Sequence, residues 1–159
     1  MSNKVQVAPH GERAILITRS FKAPRALVFD AMSKPEMMKH WFHGPAGWTL
    51  TTCDMDLRAG GSYRWVWTND KGHEMGMGGK IIEVAPPGRM VTTEKFDDAW
   101  YEGEALNTLV LTEEKGVTLM SLIVEYGSTA ARDGVLSGPM ASGMEASYAR
   151  LDTYLASRN

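Results

Sequence analysis

The stretch from residue 48 to residue 126 most constrains the fold, because it consists almost entirely of strand-like runs joined by short turns. Tyr63, Trp65 and Trp67 alternate with Arg64 and its neighbours, a pattern typical of a strand with one buried face. Glycine- and proline-containing turns separate the runs. Connections of hairpin length favour antiparallel pairing. The stretch therefore predicts an antiparallel sheet with six strands, over residues 49–57, 63–68, 74–84, 89–96, 105–112 and 117–126.

The flanking segments add one strand and several helices. Residues 14–21 are rich in β-branched residues and predict a first strand. Two short helices are expected after it, the second begun by a capping box formed by Ser33 and Glu36. A helical turn is expected at 130–136, and a long helix over 139–156 follows from apolar residues spaced by four, four, three and four: Met140, Met144, Tyr148, Leu151 and Leu155. The predicted fold class is α+β, with seven strands and this helix on one face.

Composition and charge exclude several classes of protein. The chain has 159 residues, enough for one domain. Its net charge of −2 disfavours a dedicated nucleic-acid binder. No apolar run reaches the roughly 20 residues of a membrane span, and residues 1–10 lack the apolar core of a signal peptide. The single cysteine, Cys53, excludes an internal disulfide and fits a reducing compartment. We expect a cytoplasmic protein without a nucleic-acid partner or membrane span, and a homodimer remains open.

Several spaced segments resemble a known superfamily. Residues 21–31, with Pro35-Glu36 and Trp41-Phe42, resemble the opening of the SRPBCC superfamily, which includes START lipid-transfer domains and the birch pollen allergen. One branch, named for the activator of the ninety-kilodalton heat-shock-protein ATPase, is matched further by segments 54–61, 83–91 and 143–151. The resemblance covers residues 12–157 and leaves 1–11 as an N-terminal extension. It implies a helix-grip fold, in which a curved antiparallel sheet wraps around the long C-terminal helix and encloses a deep apolar cavity.

No metal or cofactor is expected. His40 and His43 stand three residues apart, but zinc sites usually need further paired ligands, and Cys53 and His73 lie elsewhere in the chain. The glycines at 76–79 do not match a phosphate-binding loop.

The favoured function is the binding of a small hydrophobic molecule, such as a lipid, an aromatic metabolite or a polyketide-like compound, without catalysis. Eleven methionines and five tryptophans suit the wall of a cavity that accepts an apolar guest, although they equally suit a filled core. The residues expected to line the cavity are Trp41, Met55, Trp65, Trp67, Met75, Met77, Phe96, Met120, Met140, Met144 and Tyr148.

Two alternatives follow from the resemblance. Some members of the superfamily are polyketide cyclases or aromatases, which would use a polar group in the cavity for proton transfer. His73 and Glu94 are the candidates, with Asp54 and Arg64 behind them, because strand parity places His73 with Met75 and Glu94 with Phe96. A carboxyl in an apolar pocket has a raised pKa and suits acid–base chemistry. The branch name implies the other alternative, a chaperone partner and a role in stimulating a heat-shock-protein ATPase.

Overall fold

The computed structural model describes residues 2–159 and shows an α+β fold. The strands are β1 (Gln6–His10), β2 (Ala14–Phe21), β3 (Trp48–Met55), β4 (Ser62–Asn69), β5 (Glu74–Ala85), β6 (Arg89–Phe96), β7 (Ala105–Glu114) and β8 (Val117–Glu125). The helices are α1 (Arg25–Ser33), α2 (Pro35–Met38), α3 (Thr129–Leu136) and α4 (Met140–Arg158).

All eight strands form one antiparallel sheet in the order β1-β2-β8-β7-β6-β5-β4-β3. The expectation of seven strands was wrong by one. The additional strand, β1, lies in the segment predicted to be an extension, and it pairs with β2 from Gln6 opposite Thr18 to His10 opposite Ala14. Pro9 obscures this strand in the sequence, but a proline is tolerated on an edge strand, where one side of the backbone has no neighbour.

The capping box predicted for the second helix is not formed. Helix α1 continues through Ser33, whose hydroxyl donates to the Phe29 carbonyl four residues earlier at 2.6 Å. The residue preceding α2 is Lys34, whose side chain makes no capping hydrogen bond. Ser33 matches the capping-box pattern in the sequence, but its side chain bonds within the last turn of α1 and does not cap α2.

Helix α4 contributes its apolar stripe to the core on one face of the sheet. Tyr148, Leu151 and Leu155 are buried, and the Tyr148 ring meets the edge of Phe21 from β2 at 5.6 Å. Partly buried Met140 and Met144 pack against the same core cluster. The predicted long helix is thus present, two residues longer at its C-terminal end.

A buried ion cluster fixes α4 to the sheet. Arg19 of β2 is 1% exposed and donates two hydrogen bonds each to Glu145 and Asp152 of α4, at 2.8–2.9 Å. We call these three residues the Arg19 cluster. Burial alone lowers the pKa of Arg19, but the hydrogen bonds that it donates to these two carboxylates, together with their charges, outweigh that effect, and the net direction is upward.

Within residues 2–159, no helix combines the length and apolar character that a bilayer crossing requires.

Candidate functional site

Glu94 is a carboxylic acid in the interior without a cationic partner. It lies in β6 opposite the small residue Ala105 of β7. Asn107 donates from Nδ2 to one carboxyl oxygen at 3.0 Å, and within residues 2–159 no other protein group bonds to this side chain. Burial raises the pKa of Glu94, and the Asn107 hydrogen bond only partly opposes that shift. The side chain nevertheless keeps some accessible surface. The carboxyl is therefore desolvated but not completely sealed.

The hydrogen-bond ladder between β5 and β6 is interrupted beside Glu94. Gly78 pairs with Lys95 and Ile81 pairs with Thr92, with no bridge between these two pairs. In the gap, the carbonyl of Thr93 accepts from the Tyr63 hydroxyl at 2.5 Å, and the Thr93 hydroxyl accepts from the Lys80 amide of β5 at 2.8 Å. Tyr63 belongs to β4 and can reach across β5 because its partner there is Gly79. A Cβ at Gly79 would collide with the Thr93 carbonyl. Interruptions of this kind often accompany functional sites.

The charge of Glu94 acts on three tyrosines. Burial first, and the negative charge of Glu94 second, raise the pKa values of Tyr63, Tyr101 and Tyr126, that of Tyr101 to about 12. Tyr101 and Tyr126 meet edge to face at 5.5 Å. Trp65 lies 4.6 Å from Tyr63, ring centre to ring centre. We call Glu94, Asn107, Tyr63, Trp65, Tyr101 and Tyr126 the Glu94 cluster.

Two buried polar atoms of this cluster have no hydrogen-bond partner within residues 2–159. They are the indole Nε1 of Trp65, a donor, and the amide Oδ1 of Asn107, an acceptor. The other two interior indoles are satisfied, because Trp41 donates to the Ala31 carbonyl and Trp67 to the Phe42 carbonyl, each at 2.9 Å. An unsatisfied buried group costs about 1–3 kcal/mol. The cluster thus holds an unused donor, an unused acceptor and an unpaired carboxyl.

The residues expected to line a cavity are divided between two core clusters, one that includes residues of α4 and one that includes residues of β3, β4 and β5. Five of them are buried: Trp41, Trp67, Met77, Met120 and Tyr148. Five are partly buried and pack against the core: Met55, Trp65, Phe96, Met140 and Met144. Met75 is 40% exposed near the start of β5 and belongs to neither cluster.

His73 does not join Glu94. It is exposed in the turn between β4 and β5, where its backbone N–H donates to the Asn69 side chain at 2.9 Å. The prediction assumed that the strand alternation of Met75 and Met77 continues to His73, but β5 begins at Glu74 and His73 lies before it. Asp54 is exposed, and Arg64 forms an exposed double hydrogen bond with Asp97 at 2.5–2.6 Å. These three residues lie outside the Glu94 cluster.

The remaining histidines and the cysteine make ordinary packing contacts. His40 stacks on Tyr154 at 4.8 Å, and His43 accepts the Leu50 N–H at 3.0 Å. Burial lowers the pKa of His43 and raises that of Cys53 to about 11. Across residues 2–159, no three His, Cys, Asp or Glu side chains are grouped to hold a metal ion.

Two open pockets lie elsewhere on the surface. One, of about 400 Å³, is lined by Arg64, Gly78, Lys95, Phe96 and Asp97. The other, of about 230 Å³, lies between the N-terminal segment and α4, along Asn3, Ser20, Lys22, Asp152, Leu155 and Ala156. Neither contains a residue of the Glu94 cluster. The deep apolar cavity implied by the resemblance is not one of these two pockets.

Comparison with known proteins fixes the family. The sequence profile described as "Activator of Hsp90 ATPase homolog 1-like protein", AHSA1, matches residues 22–156. The chain belongs to the AHSA1 family. A solved structure of a Rhodobacter sphaeroides protein is similar over 97% of this chain and 99% of its own, with 32% identity and a TM-score of 0.91. No protein with a curated description matches the sequence.

More distant structures share the AHSA1 fold. A Mycobacterium smegmatis protein has 24% identity and a TM-score of 0.84, over 98% of this chain and 99% of its own. The AHSA1 protein of Silicibacter pomeroyi has 21% identity and a TM-score of 0.72, over 92% and 99% respectively. These neighbours agree with the AHSA-type branch of the SRPBCC superfamily, whose fold suggests a ligand-binding domain.

Sequence reasoning found Glu94 but missed most of its neighbours. Asn107 was missed although β7 is a predicted strand, because the register that places it beside β6 was unknown. Tyr101 lies in the loop between β6 and β7, and Tyr126 follows β8. Outside a strand or helix, no sequence periodicity indicates which way a side chain points. Tyr63 shares strand parity with Trp65, which was the one available signal.

Proposed function

We propose that this AHSA1-family protein binds a small, mostly apolar molecule between the sheet and α4, with the polar group of that molecule at the Glu94 cluster. The observation that carries the proposal is Glu94 itself, a desolvated carboxyl with no cationic partner, whose hydrogen-bond partner Asn107 keeps an unused acceptor.

The Arg19 cluster shows how this protein treats carboxylates that serve the fold. Glu145 and Asp152 share a guanidinium through four short hydrogen bonds. Glu94 receives one neutral hydrogen bond from Asn107. Burying an acid without a charge partner or a full set of hydrogen bonds destabilises the folded state. A bound molecule that engages the free groups explains why such an arrangement is kept.

Entry of a ligand requires movement, and we propose that residues 127–143 and the β6–β7 loop supply it. Trp100 in this loop is 65% exposed, and its ring lies against Gly134 of α3, where a Cβ would collide with it. Its neighbour Tyr101 contacts Tyr126 inside the protein. Displacing Trp100 from Gly134 would open a route to Tyr101 and the Glu94 cluster.

The indole N–H of Trp65 provides a direct test. The neutral apolar probe N-phenyl-1-naphthylamine is titrated into ¹⁵N-labelled protein, and Trp65→Phe identifies the Trp65 signal. We expect saturable binding near one probe per chain, with a larger shift of the Trp65 signal than of the Trp41 signal. Trp41 is the internal control, because its indole already donates to Ala31. Absence of binding, or equal small shifts of both indoles, would contradict the proposal.

A second candidate function, proton transfer to or from the bound molecule, is favoured by the raised pKa of Glu94. The test substrate is 5-nitrobenzisoxazole. An ionised Glu94 would take the proton from the ring C–H carbon, the N–O bond would break with its electron pair on oxygen, and a cyanophenolate would be released. We expect Glu94→Gln to abolish this ring opening, while Glu114→Gln in the exposed β7–β8 hairpin leaves it unchanged. Equal rates for the two variants would exclude Glu94 as the base.

The family description names an activator of the Hsp90 ATPase. An interior carboxyl and two sealed polar atoms do not serve a surface contact with a second protein, so they support the small-molecule proposal rather than a chaperone partner.

A further inference from the structure

We infer that the polar group held at the Glu94 cluster is a cationic amine, either a protonated amine or a quaternary ammonium. This inference rests on the proposed function and specifies its ligand class. It follows from the charge at the site, from the aromatic side chains around it and from the charge of the loop at its entrance.

Glu94 has no cationic partner in the interior. It is the acid in the cluster, and its side chain forms no hydrogen bond or ion pair with a Lys, Arg or His of residues 2–159. Two basic side chains of α3 and α4 are already engaged. Arg132 of α3 donates to the Gly11 and Ala14 carbonyls, and Arg150 of α4 donates to Gly44. A carboxylate or phosphate ligand would meet an acid with no cation to balance it, whereas an ammonium would supply the missing partner.

The side chains around Glu94 are aromatic. The Tyr63 hydroxyl donates to the carbonyl of Thr93, the residue before Glu94, and Trp65 adjoins Tyr63. Tyr101 and Tyr126 contact each other edge to face, and the charge of Glu94 contributes to the raised pKa of all three tyrosines. Organic cations bind well over the faces of tyrosine and tryptophan rings, because the ring quadrupole attracts positive charge. An aromatic set with one carboxyl is suited to an ammonium group on an apolar body.

The entrance loop is also acidic. Asp98, Glu102 and Glu104, in the loop between β6 and β7, are exposed and form no ion pair with any group of residues 2–159. Asp97 is neutralised by Arg64. Three free acids beside the Trp100–Tyr101–Tyr126 contacts attract cations toward the route inward and repel anions.

The unused acceptor agrees with this ligand class. Asn107 Oδ1 needs a donor, and a primary or secondary ammonium carries N–H groups that could reach both it and Glu94. The unused Trp65 N–H would take an acceptor elsewhere on the same molecule, such as an ether or carbonyl oxygen.

The test compares three probes with the same phenyl body and different charge: phenethyltrimethylammonium, 3-phenylpropanol and 3-phenylpropanoate. Their affinities are measured by calorimetry and by competition with N-phenyl-1-naphthylamine. We expect the cation to bind about ten-fold or more tightly than the alcohol, and the anion more weakly than the alcohol. Glu94→Gln retains an oxygen that can accept from Asn107, and it should remove most of the preference for the cation while leaving the affinity for the alcohol within about two-fold.

The possible outcomes separate the two proposals. If the naphthylamine binds and shifts Trp65 but the three probes bind equally, or the anion binds best, the ligand class is wrong and the binding function stands. If Glu94→Gln keeps the full cation preference, Glu94 is not the recognition group and the inference is overturned. If the naphthylamine itself does not bind, the proposed function fails and the inference with it. Glu114→Gln is the control for the loss of one negative charge at a distance.

Discussion

Replacing Arg19 with methionine should destabilise the protein by about 3 kcal/mol. The substitution keeps an apolar stem but leaves Glu145 and Asp152, 21% and 41% exposed, without their shared cation. Removing one partner from a buried ion pair costs about 3–5 kcal/mol. The lower end applies because both carboxylates can recover some hydration, which screens their charges. For a domain of this size, about 3 kcal/mol corresponds to a fall in Tm of roughly 6–12 °C.

Urea unfolding at pH 7 measures the loss, and the triple variant Arg19→Met, Glu145→Gln, Asp152→Asn is the control. The triple variant should recover part of the stability, because no unpaired charge remains. The hydrogen bond from Arg19 lowers the pKa of Glu145 in the folded protein. The stability that Glu145 contributes through this shift is therefore complete above its unfolded pKa near 4.5. It disappears as the pH falls through the lower pKa of Glu145 in the folded protein. Arg19→Met should make the free energy of unfolding depend less on pH in this acidic range, which we call the acid limb. A loss below about 1 kcal/mol, or an unchanged acid limb, would refute a stabilising role for the cluster.

Three further predictions concern the backbone beside Glu94, the cysteine and the mobility of α4. Gly79→Ala should cost about 1–3 kcal/mol in urea unfolding, because its Cβ meets the Thr93 carbonyl, whereas Gly138→Ala, with ordinary contacts at 3.5 Å, should cost little; equal losses would contradict the steric reasoning. Because burial raises the pKa of Cys53 to about 11, its reaction with a disulfide reagent at pH 8 should be at least about ten-fold slower in the folded than in the unfolded chain and should accelerate up to pH 11. Amides 128–143 should exchange hydrogen faster than amides 146–155 and slow when N-phenyl-1-naphthylamine binds, and equal protection without the probe would argue against a mobile entrance.

The strands and the long helix were predictable where apolar periodicity was unbroken. The alternation at 63–68 and the stripe from Met140 to Leu155 each indicated both an element and its buried face. Strand β1 was missed because it is short and contains Pro9, and its stability comes from pairing with β2 rather than from local preference. The capping box failed because a four-residue motif does not show where the preceding helix ends.

The site was harder to predict because its members come together through register. Glu94 could be placed on the inner face by parity within β6, and it lies there. The same reasoning failed for His73, since parity has no meaning in the turn before β5. Asn107 reaches Glu94 because β7 pairs with β6 in one particular register, and Tyr63 reaches Thr93 because Gly79 leaves space across β5. Neither relation is local in the sequence.

The two carboxylate clusters occupy different ends of the sheet. Arg19 pairs with Met120 of β8, whereas Glu94 pairs with Ala105, one residue before the partner of Glu125 at the far end of β8. Ala105 is level with residue 126, so the two positions are about six residues apart along the direction of that strand, or roughly 20 Å. At the first end, a fully satisfied guanidinium fixes the part of α4 between Glu145 and Asp152. At the second, an acid, a donor and an acceptor are left free beside a gap in the ladder. Because stability is only marginal in most domains, unsatisfied groups at one end require firm packing elsewhere. The Arg19 cluster supplies that packing at a distance, so a ligand at Glu94 could be exchanged without loosening the attachment of α4.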